Sequence, residues 1–226
     1  MTTNILCTDL DGPIINCEDR YYAVYKDNVL ELGGNPIAKS DYWEQKRNRV
    51  NEKYLLKLSN VEEKYYNEYH QMKIAKIEDE YYLDKDVLQL GFHEIMSDVR
   101  KRFHKVILIT LRRNKRALET QLQKLNINGY FDYILSGFSE DVPAWKVKAD
   151  LFFSTFANDG VHTDITGYFV GDTEVDILAG KEIGLKTVAV SSGIRTKETL
   201  QSYNPDIIVD DLKGFLLTID GEDLKQ

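Results

Sequence analysis

The chain has 226 residues, 42% apolar and 29% charged, enough for one domain, or one with a sizeable insertion, whose core needs neither disulfides nor a structural metal. Its 29 lysines and arginines against 37 aspartates and glutamates give a net charge of -8. That excludes a wholesale nucleic-acid surface, because duplex binding draws on a basic excess that neutralises phosphates.

Cys7 and Cys17 have neither zinc-site nor disulfide-framework spacing and read as reduced thiols of a cytoplasmic protein. The first residues show no basic leader and no apolar run approaches membrane-spanning length, so no membrane segment is expected.

In chain order, residues 4–9 form a short apolar run ending on acids and predict a buried strand. Residues 17–85 then interrupt any strand pattern; they are rich in Tyr, Glu and Lys and read as helical. Gly33, Gly34, Asn35 and Pro36 stop the first of these helices. Val50, Tyr54, Leu58, Val61 and Tyr65, three and four apart, predict one buried helix face. Arg49, Lys53 and Lys57 predict a basic face, solvated and salt-bridged by the interleaved Glu44 and Glu52, with a substrate-anion site as the sharper alternative.

Further strands are predicted at 105–110, 133–136, 168–172, 187–190 and 207–209. Helical stretches such as 114–125 and 176–182, the latter closed by Gly184, lie between them. This alternation implies right-handed crossovers and a parallel sheet covered on both faces, with chemistry at the carboxyl ends of its strands. The expected fold is α/β: a Rossmann-like parallel-sheet core of residues 1–16 and 86–226, with an inserted α-helical cap at 17–85.

The first strand runs into Asp9-Leu10-Asp11-Gly12. A calcium loop starting at Asp9 is excluded, since Ile14 stands where glycine is required and Arg20 where the bidentate glutamate belongs. A second pair, Asp172 and Asp176, closes another strand in GDTEVD; acids also favour helix starts for capping alone. If the two strands are neighbours, four carboxylates converge and repel, and a hard divalent cation such as magnesium relieves that. Thr110 stands at a strand tip, and Lys146, in the loop after Ser136-Gly137, is the candidate phosphate-binding cation, with Lys148 its competitor. Arg112 and Arg113 follow Thr110 closely enough to border the same pocket.

Taken in order, DLDG, Thr110, Lys146 and GDTEVD resemble the four motifs of the haloacid dehalogenase-like hydrolase superfamily, most of whose members are phosphatases. YFDYILSG, DILAGKEIGLKTVAV and NPDIIVDDLKGFLL are similar to its phosphoglycolate phosphatase and β-phosphoglucomutase branch, so the likeness covers nearly the whole chain. The resemblance implies Asp9 as nucleophile forming an aspartyl-phosphate, and Asp11 as acid and base. It also implies Thr110 and Lys146 on the phosphoryl oxygens, and Leu10, Gly12, Leu111 and Arg112 around the substrate. Magnesium would sit between Asp9, the Asp11 carbonyl, Asp172 and Asp176.

The carboxylate at position 11 argues for phosphate chemistry, because the superfamily's dehalogenases lack it. The phosphonate-cleaving relatives use a cap lysine; Lys39, Lys46, Lys53 and Lys57 are available, and no local sequence singles one out. Three positions depart from the family pattern: Pro13, Asn16 and the run Lys146-Val147-Lys148-Ala149.

The expectation is therefore a magnesium-dependent phosphatase acting on a small phosphorylated metabolite. A mutase-like phosphotransferase on a sugar phosphate is the alternative, and a catalytically silent binding protein the third reading. His70, His93, His104 and His162 show no ligand spacing, and no oligomeric state is legible.

Overall fold

The computed structural model describes residues 3–156 and 165–223. β1 (Thr3–Thr8) leads through β2 (Ile15–Asn16) into five helices: α1 (Glu18–Glu31), α2 (Lys39–Arg47), α3 (Glu52–Leu58), α4 (Tyr66–Lys76) and α5 (Glu80–Leu83). The chain returns through β3 (Val87–Leu88) and α6 (Phe92–Arg102) to β4 (Lys105–Thr110), α7 (Lys115–Lys124), β5 (Tyr133–Ser136) and α8 (Ala144–Phe156). It continues with β6 (Ile165–Gly171), α9 (Glu174–Ile183), β7 (Lys186–Val190), α10 (Lys197–Gln201), β8 (Ile207–Val209) and α11 (Leu212–Asp223).

Six strands form one parallel sheet in the order β5-β4-β1-β6-β7-β8. Two-residue periodicity divides its side chains between two cores. Leu6, Leu108 and Val170 face α6, α7 and α11 through Met96, Leu118 and Phe215. Ile5, Cys7, Ile107 and Phe169 face the other side, with Phe152 and Phe156 of α8 and Ala179 of α9. Each such buried large side chain contributes about 1.5–3 kcal/mol, and burial on both faces explains why the strands read as continuous apolar runs. Strand order reverses between β1 and β6, so the crevice for chemistry opens at their carboxyl ends. The sixth strand begins at Ile165, earlier than predicted, and ends at Gly171, leaving Asp172 just beyond it.

The inserted helices have their own apolar cluster of Tyr25, Val29, Tyr42, Leu55, Leu56, Val61 and Tyr69, with the rings of Tyr25 and Tyr42 stacked at 4.3 Å. Tyrosine-rich composition here is core. The predicted helix face running from Val50 to Tyr65 is corrected: α3 spans only Glu52–Leu58, buries Leu55 and Leu56, and exposes Tyr54 and Leu58. Asn60 takes a left-handed backbone (φ 57°) that ends any continuation, so Val61 reaches the core from a loop. The basic face is corrected for the same kind of reason. Arg49 lies outside the helices at φ 57° and pairs with Glu174, away from Lys53 and Lys57.

β2 and β3 pair antiparallel, joining the two linkers of the insertion. The insertion is seated on the sheet's carboxyl edge. Arg47 Nη2 donates to the carbonyls of Ser191 and Arg195, and Glu78 accepts from the amides of Arg113 and Asn114 at 3.0 and 2.8 Å. Among the described residues no helix is long and apolar enough to cross a membrane.

Candidate active site

Parallel pairing aligns Thr8 with Leu108 on one side and Val170 on the other, and the Asp9 amide donates to the Val170 carbonyl at 3.0 Å. Asp9 therefore emerges beside Asp172, and Asp9, Asp172 and Asp176 each offer an oxygen within 4.8 Å of the others. One cation bridges two of them: Lys148 Nζ lies 2.7 Å from Asp9 Oδ1 and 2.6 Å from Asp176 Oδ1. Burial works against its charge, but Asp176 and Asp9 outweigh that and hold the ammonium above the usual lysine range. The other oxygen of Asp176 accepts from the Thr173 amide and hydroxyl, so this acid also does the helix-start capping that its position suggested.

Three buried carboxylates against one ammonium leave excess negative charge. Burial, reinforced by Asp176 and Asp11 against Lys148, pushes Asp9 up to about 7. Burial and then Asp176 and Asp9 push Asp172 well above the carboxylate range. Asp172 Oδ2 accepts from the Ile194 amide, whereas Oδ1 is buried without a hydrogen-bond partner. Oxygen-only donors, an orphaned buried oxygen and surplus negative charge together suit a hard divalent cation.

Gly12 and Gly193 make room for Asp172. A Cβ at Gly12 would fall 2.2 Å from Asp172 Cγ, and its φ of 100° disfavours side chains independently. At Gly193 a Cβ would meet Asp172 Oδ2 at 2.0 Å.

Asp11 faces a different environment. Its Oδ2 receives Arg20 Nη2 at 2.6 Å and its Oδ1 receives Arg112 Nη2 at 2.7 Å. Behind them the fully buried Asp86 carboxylate lies 3.1 Å from Arg20 Nε and 3.6 Å from Arg112 Nη2, and accepts from Gln121 Nε2. Burial favours a neutral Asp11, but Arg112 and Arg20 outweigh it and hold the carboxyl well below its usual range. Burial pushes Asp86 up to about 6. This network joins the loop after β1, the first turn of α1, the linker before β3 and the loop after β4.

A cavity of 280 Å³ opens over Asp9 and Asp11 and is also lined by Thr110, Leu111, Arg112 and Lys148. Lys146 is not brought to it. The expected loop is helix α8, and Lys146 pairs with Asp150 on its exposed side, so the cation in the site is Lys148. The Leu10 side chain is in the sheet core, and Gly12 abuts Asp172. Arg113 stacks on Phe138 and contacts Glu140 at 3.9 Å. His93 contacts Tyr130, His104 accepts from the Asn4 amide, His70 is exposed, and His162 lies outside the described residues. Arg20, Lys46, Glu78 and Arg195 also border or reach this cavity. Nothing local in the sequence distinguishes Arg20 or Asp86 from surface charges; only their common burial does.

The curated proteins similar to this chain include a phosphoglycolate phosphatase of Pseudomonas fluorescens, 26% identical over 130 residues, covering 58% of this chain and 46% of that protein. Another is the pyrophosphatase PpaX of Bacillus mycoides, 25% identical over 124 residues, covering 55% and 56%. The chain thus spans about half the length of the curated relatives it matches. Among solved structures, a haloacid dehalogenase-like family hydrolase from Streptococcus pneumoniae superposes with a TM-score of 0.73 at 17% identity, covering 96% of this chain and 98% of that one. A subfamily IA hydrolase of the same superfamily from Geobacter sulfurreducens gives 0.66 at 14% identity, covering 95% of each chain. At these identities the superpositions speak for the fold. The sequence profile described as haloacid dehalogenase-like hydrolase matches residues 7–190, from within β1 to the end of β7. With the acids of β1 and β6 meeting at one sheet edge inside that span, the chain belongs to the haloacid dehalogenase-like hydrolase family.

Proposed function

We propose that this chain is a magnesium-dependent phosphatase that hydrolyses a small phosphomonoester through an aspartyl-phosphate on Asp9. The observation that carries the reading is the buried set Asp9, Asp172 and Asp176 around Lys148, with Asp11 lining the same cavity. Asp9, Asp172, Asp176 and the Asp11 carbonyl would hold the metal, which when bound supplies charge neutralisation at the transferring phosphoryl group.

In the first step an Asp9 carboxylate oxygen forms a bond to phosphorus while the ester P–O bond breaks, and the departing alkoxide takes a proton from Asp11. In the second, Asp11 removes a proton from water, which attacks phosphorus, releases phosphate and regenerates the Asp9 carboxylate. Lys148 and the Thr110 hydroxyl bind phosphoryl oxygens. Arg112 is their natural companion, because its Nε and Nη1 are buried without hydrogen-bond partners. The arginine clamp keeps Asp11 ionised, the form the water step needs; to donate to the leaving group Asp11 first takes up a proton, from solvent or from the water of the preceding turnover, as those contacts loosen. Residues 17–85 act as the lid that excludes water during transfer. Cys7 and Cys17, free and buried, suit a reducing cytoplasmic setting.

The test is phosphate release from a panel of phosphomonoesters with and without magnesium. Asp9→Asn is expected to abolish it. Asp11→Asn is expected to spare p-nitrophenyl phosphate, whose leaving group needs little protonation, far more than an alkyl phosphate. Full activity of Asp9→Asn refutes the assigned roles, and a long-lived phosphoenzyme with little hydrolysis favours the phosphotransferase.

A further inference from the structure

Residues 191–196 join β7 to α10, and the middle of this loop fixes Asp172 from one side. The Ile194 amide donates to Asp172 Oδ2, and Gly193 lies against the same carboxylate with no room for a Cβ. Both residues are buried. Together they set where the two oxygens of Asp172 point, and so where its unpartnered Oδ1 is offered.

The same loop is gripped from outside by the inserted helices. Arg47, the last residue of α2, donates from Nη2 to the carbonyls of Ser191 and Arg195, which flank the segment that holds Asp172. One guanidinium nitrogen thus ties both ends of that segment. In return the Thr196 amide donates to the Arg47 carbonyl at 3.3 Å, and Arg195 Nη1 to the Lys46 carbonyl at 3.4 Å. Arg47 forms no ion pair among the described residues, so the loop carbonyls are the partners of its charge. It borders a cavity of 390 Å³ with Ser191 and Ser192, separate from the one over Asp9 and Asp11. Arg49 adds a second tie at 3.3 Å from Glu174, which stands between Asp172 and Asp176 in the chain and also pairs with Arg195 at 3.0 Å.

We propose that Arg47 is a positioning residue for the metal site. By bridging the Ser191 and Arg195 carbonyls it holds Gly193 and Ile194 against Asp172, so that seating of the inserted helices and binding of a divalent cation favour each other. The metal half of this statement rests on the magnesium reading above; the loop half stands on the hydrogen bonds themselves. A charged donor makes such bonds stronger than neutral ones. The coupling is reciprocal: the factor that seated helices add to metal affinity is the factor that bound metal adds to their seating.

Calorimetry with magnesium chloride on the chelator-treated full chain tests the metal half. Arg47→Met is expected to raise the magnesium Kd by at least about five-fold, the lower end of coupling between two sites, and Arg47→Lys to recover part of the loss. Glu78→Gln loosens the insertion where it meets the amides of Arg113 and Asn114 instead, and should leave Kd within about two-fold. A Kd unchanged in Arg47→Met, or raised equally by Glu78→Gln, overturns the proposal.

If the wild-type chain binds no magnesium the metal reading fails, and hydrogen exchange in chelator then decides the loop contact alone. The Ile194 amide should exchange at least about five-fold faster in Arg47→Met than in the wild type, and Glu78→Gln should not accelerate it. Equal rates in Arg47→Met and the wild type overturn the proposal. Should Arg47→Met fold poorly, the wild type carries the test: magnesium should slow exchange of the Thr196 amide, bonded to the Arg47 carbonyl, by at least about five-fold. Absence of that slowing overturns it.

Discussion

Lys148 Nζ touches Asp9 Oδ1 at 2.7 Å, whereas Lys146, two residues earlier in the same helix, reaches only the exposed Asp150. Two residues correspond to about 200° around an α-helix, so the two lysines cannot share a face. Lys148→Met is expected to lower phosphate release by about 100-fold or more, and Lys146→Met to keep it within about two-fold. Removing Lys148 also strands the two buried carboxylates it pairs with, Asp9 and Asp176, a loss of about 3–5 kcal/mol in metal-free protein. Thermal melts in chelator, alongside kinetics, check both halves.

Magnesium should stabilise the fold. At a concentration of about 100 times Kd the gain is about 2.7 kcal/mol, or about 5–10 °C in Tm at this chain length. Asp172→Asn should remove most of that shift. The pH dependence has a definite sign. Asp9 is raised to about 7, so its contribution to stability is fully present below the ordinary carboxylate pKa and is lost as pH rises towards 7. The metal-free Tm should therefore carry a component that falls between about pH 4 and 7. With magnesium bound that component should vanish. Asp11 has the opposite sign: its depressed pKa contributes stability at neutral pH that is lost only in strong acid.

Arg20, Asp86, Arg112 and Asp11 form a balanced group of two positive and two negative charges. Arg20→Met or Asp86→Asn leaves a buried charge unmatched and should cost about 3–5 kcal/mol. The double variant should cost less than the sum, by about 0.5–3 kcal/mol of coupling. Denaturant titration of the four proteins measures this; strict additivity would show that the network is not one unit.

Gly193→Ala places a methyl group 2.0 Å from Asp172 Oδ2. Displacing that carboxylate should cost about 1–3 kcal/mol and weaken the magnesium-dependent rise in Tm. An unchanged metal response would show that Asp172 is not held where magnesium needs it.

Much of the sheet was legible because burial on both faces leaves a local signature: apolar runs such as Ile5-Leu6-Cys7 and Val106-Ile107-Leu108-Ile109, each ending in polar residues. The helical insertion was legible only in outline. Its Val50-to-Tyr65 spacing mimicked one amphipathic helix, because the left-handed turn at Asn60 breaks the chain without breaking the apolar period.

By itself the sequence determined that acids stand at the tips of two strands, that a helical segment interrupts them, and that the family motifs occur in order. Only the tertiary structure decided that β1 and β6 are neighbours, that Lys148 rather than Lys146 enters the site, that Arg20 and Asp86 enclose Asp11, and that Arg47 of α2 reaches the loop that holds Asp172. Strand propensity and periodicity act over a few residues and mark the chain locally. Charge pairing across the fold depends on sheet order and helix phase, which emerge only when distant segments pack together.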